Sequence, residues 1–475
     1  MPRAGVRAFI VARKGRNGPG AKGRRKVERL TEQTRQNEPD AVLTRLDIPG
    51  EIRARWAWAE AEVWTEPMLT ALENGVRGSK WFSLWDKVYA PTTLRAAFAQ
   101  VKANGGAAGV DHVTVKEFEH RLEANLEKLR QELRSGTYRP QAIRRVWIDK
   151  PGSKEKRPLG IPTVRDRVVQ TALKMVLEPI FERKFAAQSY GFRPESGCKD
   201  ALRRVNDLLQ RGYNWVVDAD LKSYFDTIPH GRLIKLVQEA VVDGKVLALI
   251  KAYLTAKVME TANGWVPEGG TPQGAVISPL LSNIYLDPLD HLMAKHGIEM
   301  VRYADDFVIV CQTEADAYAA LAEVQRWTAE AGLTLHPDKT RIVDASQPGG
   351  FDFLGYHFER GRKWPRRKSE KKLKRSIRAE TRRTDGRSMA TIITNLNRRL
   401  RGWFEYFKHS SNDYSFQRLD GWIRMRLRSI LRRRRGGKGR ERIADRVRWP
   451  NAFFVEQGLF SLVTAYCSAR QSSSR

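Results

Sequence analysis

An α+β fold is predicted for this 475-residue chain by three observations. β-Branched runs within Trp215–Asp220 and Phe307–Cys311 read as buried strands. Other stretches repeat apolar residues at three- and four-residue spacing and read as helices. The two kinds alternate as strand, helix, strand, hairpin, helix, strand, the order of a split βαβ sheet. The length allows roughly three domains, and the 41% hydrophobic content is enough for real cores.

Residues 1–74 begin Gly-, Arg- and Lys-rich, with few apolar anchors before Trp56 and Trp58, which predicts a basic, partly disordered extension. Residues 75–215 read as mixed helix and strand. A hairpin is expected there, with a strand at Ile143 to Ile148, a turn at Pro151-Gly152-Ser153 and a return through Pro158 to Ile161. Its tip carries Lys150, Lys154, Lys156 and Arg157, a candidate triphosphate clamp. In residues 216–358, the strand ending at Asp220 precedes a helix-like stretch from His230 to Val242. Thr313 then caps a helix through Ala331, with Asp316 three residues on; Ala315, Ala319, Ala322 and Trp327 form its apolar side and Gly332 ends it. Leu333-Thr334-Leu335 is strand-like. Residues 359–475 read as helices. Ile392, Leu396, Leu400, Trp403 and Phe407 mark one, with Arg398, Arg399 and Arg401 off the stripe; Leu419, Trp422, Ile423, Leu427, Ile430 and Leu431 mark another, interleaved with Arg424, Arg426 and Arg428 before Arg432 and Arg433. At this spacing the aromatic stripe is expected to pack inward.

Tyr303-Ala304-Asp305-Asp306 puts two adjacent acids at the tip of an apolar hairpin. Repulsion and desolvation make that costly unless a cation neutralises the pair, and hard oxygen donors at a strand turn suit Mg²⁺, which takes one or two carboxylates plus substrate phosphates. A second acid-ended strand, Trp215 to Asp220, offers a third carboxylate for two-metal phosphoryl chemistry. Asp218 and Asp220 share one face of that strand, so spacing does not choose between them.

The motifs Arg157-Pro158-Leu159-Gly160-Ile161-Pro162, Ser189-Tyr190-Gly191-Phe192-Arg193-Pro194, Asp220 through Asp226, Gly270-Thr271-Pro272-Gln273-Gly274 and Tyr303 through Asp306 resemble the ordered blocks of a bacterial group II intron-encoded reverse transcriptase. The resemblance extends to Gly105 through Asp111, to Leu333 through Thr340 and to Phe351 through Tyr356. Trp403-Phe404-Glu405-Tyr406-Phe407 and Trp449 to Phe460 are similar to that family's maturase domain, so roughly residues 75 to 470 are covered. This implies a right-hand polymerase with fingers at 75–215, a palm at 216–358 and a helical thumb/maturase domain at 359–475. It further implies two Mg²⁺, with Mn²⁺ as a substitute, on Asp220, Leu221, Asp305 and Asp306. The nucleotide contacts implied are Lys150, Arg157, Leu221, Phe225 and Gln273. Phe225 would stand against the sugar and exclude a 2′-OH, Gln273 would touch template and nucleotide, and Lys339 would protonate the leaving pyrophosphate. The expected RNA-binding residues are Arg398, Arg399, Arg401, Arg424, Arg428, Arg432 and Arg433.

A net charge of +31 and a pI near 10.2 imply a polyanionic partner. Residues 360–475 hold 33 Lys and Arg against 9 Asp and Glu, and the first 30 residues hold 10 against 1, so the segment between is slightly acidic. A near-neutral catalytic body with basic ends suits an enzyme that grips nucleic acid beyond its active site. Three dispersed cysteines exclude a disulfide framework and disfavour a zinc module. An HNH endonuclease module, common in the resembled family, is not expected. No apolar stretch approaches a membrane span and no signal peptide is evident, so a bacterial cytosolic or nucleoid setting is expected.

The expected function is RNA-directed DNA synthesis: dNTPs are added to a DNA primer on an RNA template, alongside maturase binding of the group II intron RNA that assists splicing and mobility into target DNA. Two other readings stay open. One is a domesticated relative serving DNA repair or defence; the other is a polymerase-inactive RNA-binding splicing cofactor.

Overall fold

The structure, a computed structural model, describes residues 51–149, 156–259, 264–265, 267 and 269–473. The tail at 1–50, Lys150, the turn at 151–153 and Lys154 lie outside the described residues.

Eleven strands run in chain order: β1 (Ile143–Asp149), β2 (Lys156–Ile161), β3 (Trp215–Asp220), β4 (Val258–Met259), β5 (Gly264–Trp265), β6 (Glu299–Tyr303), β7 (Asp306–Cys311), β8 (Arg341–Asp344), β9 (Phe351–Phe353), β10 (Tyr356–Glu359) and β11 (Arg362–Pro365). Among the described residues they form three sheets, ordered β2-β1-β4-β5, β6-β7-β3-β8 and β11-β10-β9. In the central sheet β7 pairs antiparallel with β6 and with β3, and β3 pairs antiparallel with β8. β3 and β6 are therefore parallel with β7 between them, and β7 and β8 are parallel with β3 between them. Two interlocked split βαβ units result, as the order of elements predicts.

This sheet is the wall between two hydrophobic cores, because strand residues alternate faces. Val217, Ala219, Phe307 and Ile309 face the first core with Met300. Val216, Val308 and Val310 face the second with Val301. The first core is built around the Val164–Glu182 helix, which is buried over most of its length. It also takes in Ile52, Trp56, Val63, Trp64 and Leu69, and the Trp64 indole N–H donates to the Met175 carbonyl at 2.9 Å. Residues 51–74 thus pack as part of the body, anchored by apolar residues that begin at Ile52, so this part of the expected extension belongs to the folded core.

Four expectations for individual elements need correction. The His230–Gln238 helix stops short of Val242, because residues 240–242 peel away to pair with Trp81: Trp81 N–H donates to Ala240 at 2.8 Å and Val242 N–H to Trp81 at 2.9 Å. The Glu314–Glu330 helix is capped by Thr313 as expected, yet Ala315, Ala319 and Ala322 are exposed. Ala317, Ala320, Val324, Trp327 and Thr328 are buried instead. An alanine methyl gains little by burial, so the larger Val324 and Trp327 set the face. Leu333 to Leu335 is not a ladder strand; it makes one isolated bridge, Leu335 with Leu221 just past the end of β3, and the fourth strand is β8. Finally, residues 359–475 are not all helical, since the β10–β11 hairpin pairs Glu359 with Arg362 and Tyr356 with Pro365, straddling residue 358.

Beyond that hairpin the helices Met389–Phe407 and Tyr414–Arg434 close the second core. Trp403 stacks on Phe407 with ring centroids 4.6 Å apart, so the aromatic stripe packs inward. Among the described residues no helix is long and apolar enough to cross a membrane.

Candidate active site

The acids converge because of register. Asp220, the last residue of β3, pairs with Asp306, the first of β7, while Asp306 also pairs with Tyr303 to close the hairpin. Asp218 lies opposite Val308, on the same face as Asp220. The two ambiguous acids are separated by their partners. Arg341 holds Asp218 at 3.2 Å, whereas Lys339 Nζ lies 2.5 Å from Asp220 Oδ2. Lys339 arrives there because the loop before β8 is stitched to the end of β3: His336 N–H donates to Asp220 O at 2.7 Å and Lys222 N–H to Thr334 O at 2.8 Å.

Burial pushes Asp305 and Asp306 above the usual carboxylate range. Asp306 rises to about 7, through desolvation first and then the charges of Asp305 and Asp218, against the pull of Arg366. The Arg157 charge draws Asp305 down, and with Arg145 it also draws Asp226 down against burial. Among the described residues no three His, Cys, Asp or Glu side chains form a finished metal cage. Half-buried acids that repel one another still fit a hard cation that brings its own waters and takes its remaining ligands from nucleotide phosphates.

Phe225 and Gln273 are joined to this edge by one loop. Thr271 N–H donates to Phe225 O at 2.6 Å, Gly270 N–H to Ile228 O at 2.8 Å, and Gly160 N–H of β2 to Gln273 O at 2.6 Å. Gly270, at φ 87, passes so close to Phe225 and Asp226 that a Cβ would strike their backbone. Phe225 is half-buried, its ring edge-on to fully buried Tyr224 with centroids 5.4 Å apart, and Leu221 lies in the first core.

The support beneath the turn that carries Asp305 is not apparent from the motifs. Arg302 is fully buried and spans Asp290 with two arms, with Nε donating at 2.8 Å. It also donates from Nη1 to Asn283 Oδ1 at 3.0 Å and to Ala304 O at 2.9 Å. Ala304 sits at φ 62, a conformation that favours glycine, and Arg302 holds its carbonyl there. Behind the turn, Gly191 presses against Tyr303 and Ala304, and Asn283 Nδ2 donates to its carbonyl at 2.7 Å. An arginine inside an otherwise apolar strand was the available signal.

The basic residues of the C-terminal part divide. Arg398, Arg401 and Arg433 are exposed, and Arg424 is half-buried. Arg428 is only 5% exposed and bonds Glu441, Trp449 O and Asn451, so it braces the fold instead of offering a charge to RNA. Arg399 pairs with Glu380 at 2.5 Å and Arg432 with Asp445 at 3.1 Å, so they too are engaged within the protein. A single-residue alternation of Arg with apolar residues does not reveal which arginines meet buried acids from a distant segment.

The family description "Reverse transcriptase (RNA-dependent DNA polymerase)" matches residues 148–358, and "Group II intron, maturase-specific domain" matches residues 370–449. Protein YkfC of Escherichia coli (strain K12) is 36% identical over 293 residues, covering 54% of this chain and 76% of YkfC. The chain belongs to the group II intron reverse transcriptase/maturase family. The Group II intron-encoded protein LtrA of Lactococcus lactis subsp. cremoris is 40% identical over 202 residues, 42% of this chain and 33% of LtrA. Nuclear intron maturase 4, mitochondrial, of Arabidopsis thaliana is 30% identical over 214 residues, 45% of this chain and 25% of that protein. The chain thus spans about three quarters of YkfC but about a third or less of the other two. The α+β body is that of a right-hand polymerase, and its matched part is an RNA-directed DNA polymerase domain of a family that uses divalent metal ions. The maturase-specific part indicates RNA binding.

Proposed function

We propose that this chain copies the RNA of a group II intron into DNA and also binds that RNA as a maturase, aiding splicing and entry into target DNA in the bacterial cytosol. The observation that carries the reading is the pairing of Asp220 with Asp306 beside Asp305, with the charge of Arg157 acting on Asp305. Residues 75–215 serve as fingers, 216–358 as palm, and 359–475 as thumb and maturase domain. Asp220, Asp305, Asp306 and the Leu221 carbonyl would hold two Mg²⁺, replaceable by Mn²⁺, and the chemistry these ions would supply is activation of the primer 3′-hydroxyl and neutralisation of the triphosphate. Arg157 and Lys150 bind the phosphates of the incoming dNTP, and Lys339 gives a proton to the leaving pyrophosphate. Phe225 rejects a 2′-OH, and Gln273 seats the nucleotide against the template. Exposed Arg398, Arg401 and Arg433, with Arg424, contact RNA phosphates. Most of the rate enhancement is positioning plus charge neutralisation.

Primer extension on an RNA template with dNTPs and Mg²⁺, comparing wild type with Asp305→Ala, tests this. Extension by wild type that the variant loses supports a polymerase using these acids. A folded wild type that binds intron RNA yet extends nothing would leave only the splicing-cofactor role.

A further inference from the structure

Between the β10–β11 hairpin and the first turns of the Arg367–Glu380 and Tyr414–Arg434 helices lies a cavity of about 570 Å³ that plays no part in the polymerase chemistry. Arg360, Arg362, Trp364, Arg367, Tyr414 and Arg418 line it. Its acids are already engaged. Glu370 is buried and paired with Arg418, and Glu359 accepts from Gly349 N–H at 3.1 Å and faces His357 at 3.4 Å. Among the described residues the side chains of Arg360, Arg362 and Arg367 make no hydrogen bond or ion pair within the distances of a direct contact, and Arg360 acts on Glu359 only through its charge, so their guanidinium donors are open to a ligand in this space.

Tyr414 is 66% exposed, which a tyrosine gains nothing from in folding alone, and Trp364 rests one side of its ring on His357 at 5.1 Å. Neither helix that opens onto the cavity has a side-chain cap, so first-turn N–H groups remain for an outside acceptor. Guanidinium groups, free backbone N–H groups and two aromatic rings around a cavity of ligand size are the chemistry that binds a nucleotide.

We propose that this cavity takes one unstacked base of a bound RNA between Trp364 and Tyr414, with the flanking phosphates on Arg360, Arg362 and Arg367. The proposal rests on the RNA-binding reading above and gives that binding a point of selectivity: proteins read RNA at bulges and loops, where a base can be splayed out. A free nucleotide would use the same chemistry, and the experiment separates the two.

The full chain is titrated with two RNA hairpins, identical except that one carries a single bulged nucleotide randomised among the four bases. Wild type is expected to bind the bulged hairpin about 10-fold more tightly, as one base-stacking contact allows. Tyr414→Ala and Arg367→Gln should each erase that preference, while affinity for the paired hairpin and primer extension on an unstructured template hold. A preference that survives both variants, or a loss that falls equally on both hairpins, overturns the assignment. So does displacement of the preference by millimolar AMP, which would make the cavity a free-nucleotide site. Wild type that binds both hairpins equally sinks the cavity alone; wild type that binds neither sinks the RNA-binding reading with it.

Discussion

Asp306 shows at the scale of one residue how the site works against the fold. Its folded value of about 7 lies above its ordinary 3.8, so the folded state takes up a proton more readily than the unfolded chain. A raised carboxylate destabilises where it is charged, and that penalty fades as pH falls through 7 toward 4. Metal-free protein should therefore lose less stability on acidification from pH 8 to pH 6 than Asp306→Asn does. At pH 8 the variant should be the more stable by on the order of 1–3 kcal/mol, discounted for partial exposure. Thermal melts of both proteins at the two pH values, in EDTA, check this; parallel pH slopes would refute it. Phe225→Ala should admit ribonucleotides in primer extension, and unchanged sugar discrimination would return Phe225 to plain packing. The acids were legible because charge at the end of an apolar run is expensive and so conspicuous. The resemblance pointed to Lys339 as a proton donor, but its pairing with Asp220 was not legible, since nothing in its spacing brings the 333–340 loop to β3.

At the scale of elements, the turn that carries Asp305 is a strained hairpin held from two sides. A methyl group at Gly191 would collide with the backbone of Tyr303 and Ala304, so Gly191→Ala has to move the turn that carries Asp305. Displacement of about 1 Å can cost roughly 100-fold in rate. Steady-state extension should show kcat down by about that factor with KM for dNTP little changed, and a kcat within twofold of wild type would show that the seat is not needed. Arg302→Met leaves Asp290 buried without its partner and should destabilise by about 3–5 kcal/mol. Adding Asp290→Asn should return much of the stability but not the activity, because the Ala304 carbonyl still lacks its donor. Calorimetry beside extension assays separates the two effects. β3, the β6–β7 hairpin and the Thr313 cap were readable from period and capping chemistry. The buried face of the Glu314–Glu330 helix and the true fourth strand were not, because alanines hardly define a face and because Leu333 and Leu335 are apolar to pack on the first core without pairing in the sheet.

For the whole molecule, net charge and available charge differ. The sequence carries +31, most of it after residue 359, and that concentration made a polyanionic partner readable. Which arginines serve it is decided by tertiary contacts that no local pattern encodes: Arg428, Arg399 and Arg432 are paired to acids, and Arg398, Arg401 and Arg433 stand in solvent. Each phosphate neutralised steepens the fall of log affinity with log salt by about 0.7–0.9. Replacing Arg398, Arg401 and Arg433 together by Ala should therefore lower the salt slope for intron RNA by roughly 2–3 while leaving the melting temperature near wild type. Arg428→Ala should do the reverse. It removes one of the two arginine partners of Glu441, the other being Arg446, and the donor to Trp449 O and Asn451, so it should unfold the C-terminal helices several degrees earlier and leave the slope, measured well below that transition, unchanged. Salt titrations of RNA binding paired with melts of both variants decide between exposure and sequence position as the guide to RNA contact. A salt slope that falls with Arg428→Ala and holds in the triple variant would mean that the helix opens on RNA and that the buried arginines are the ones it uses.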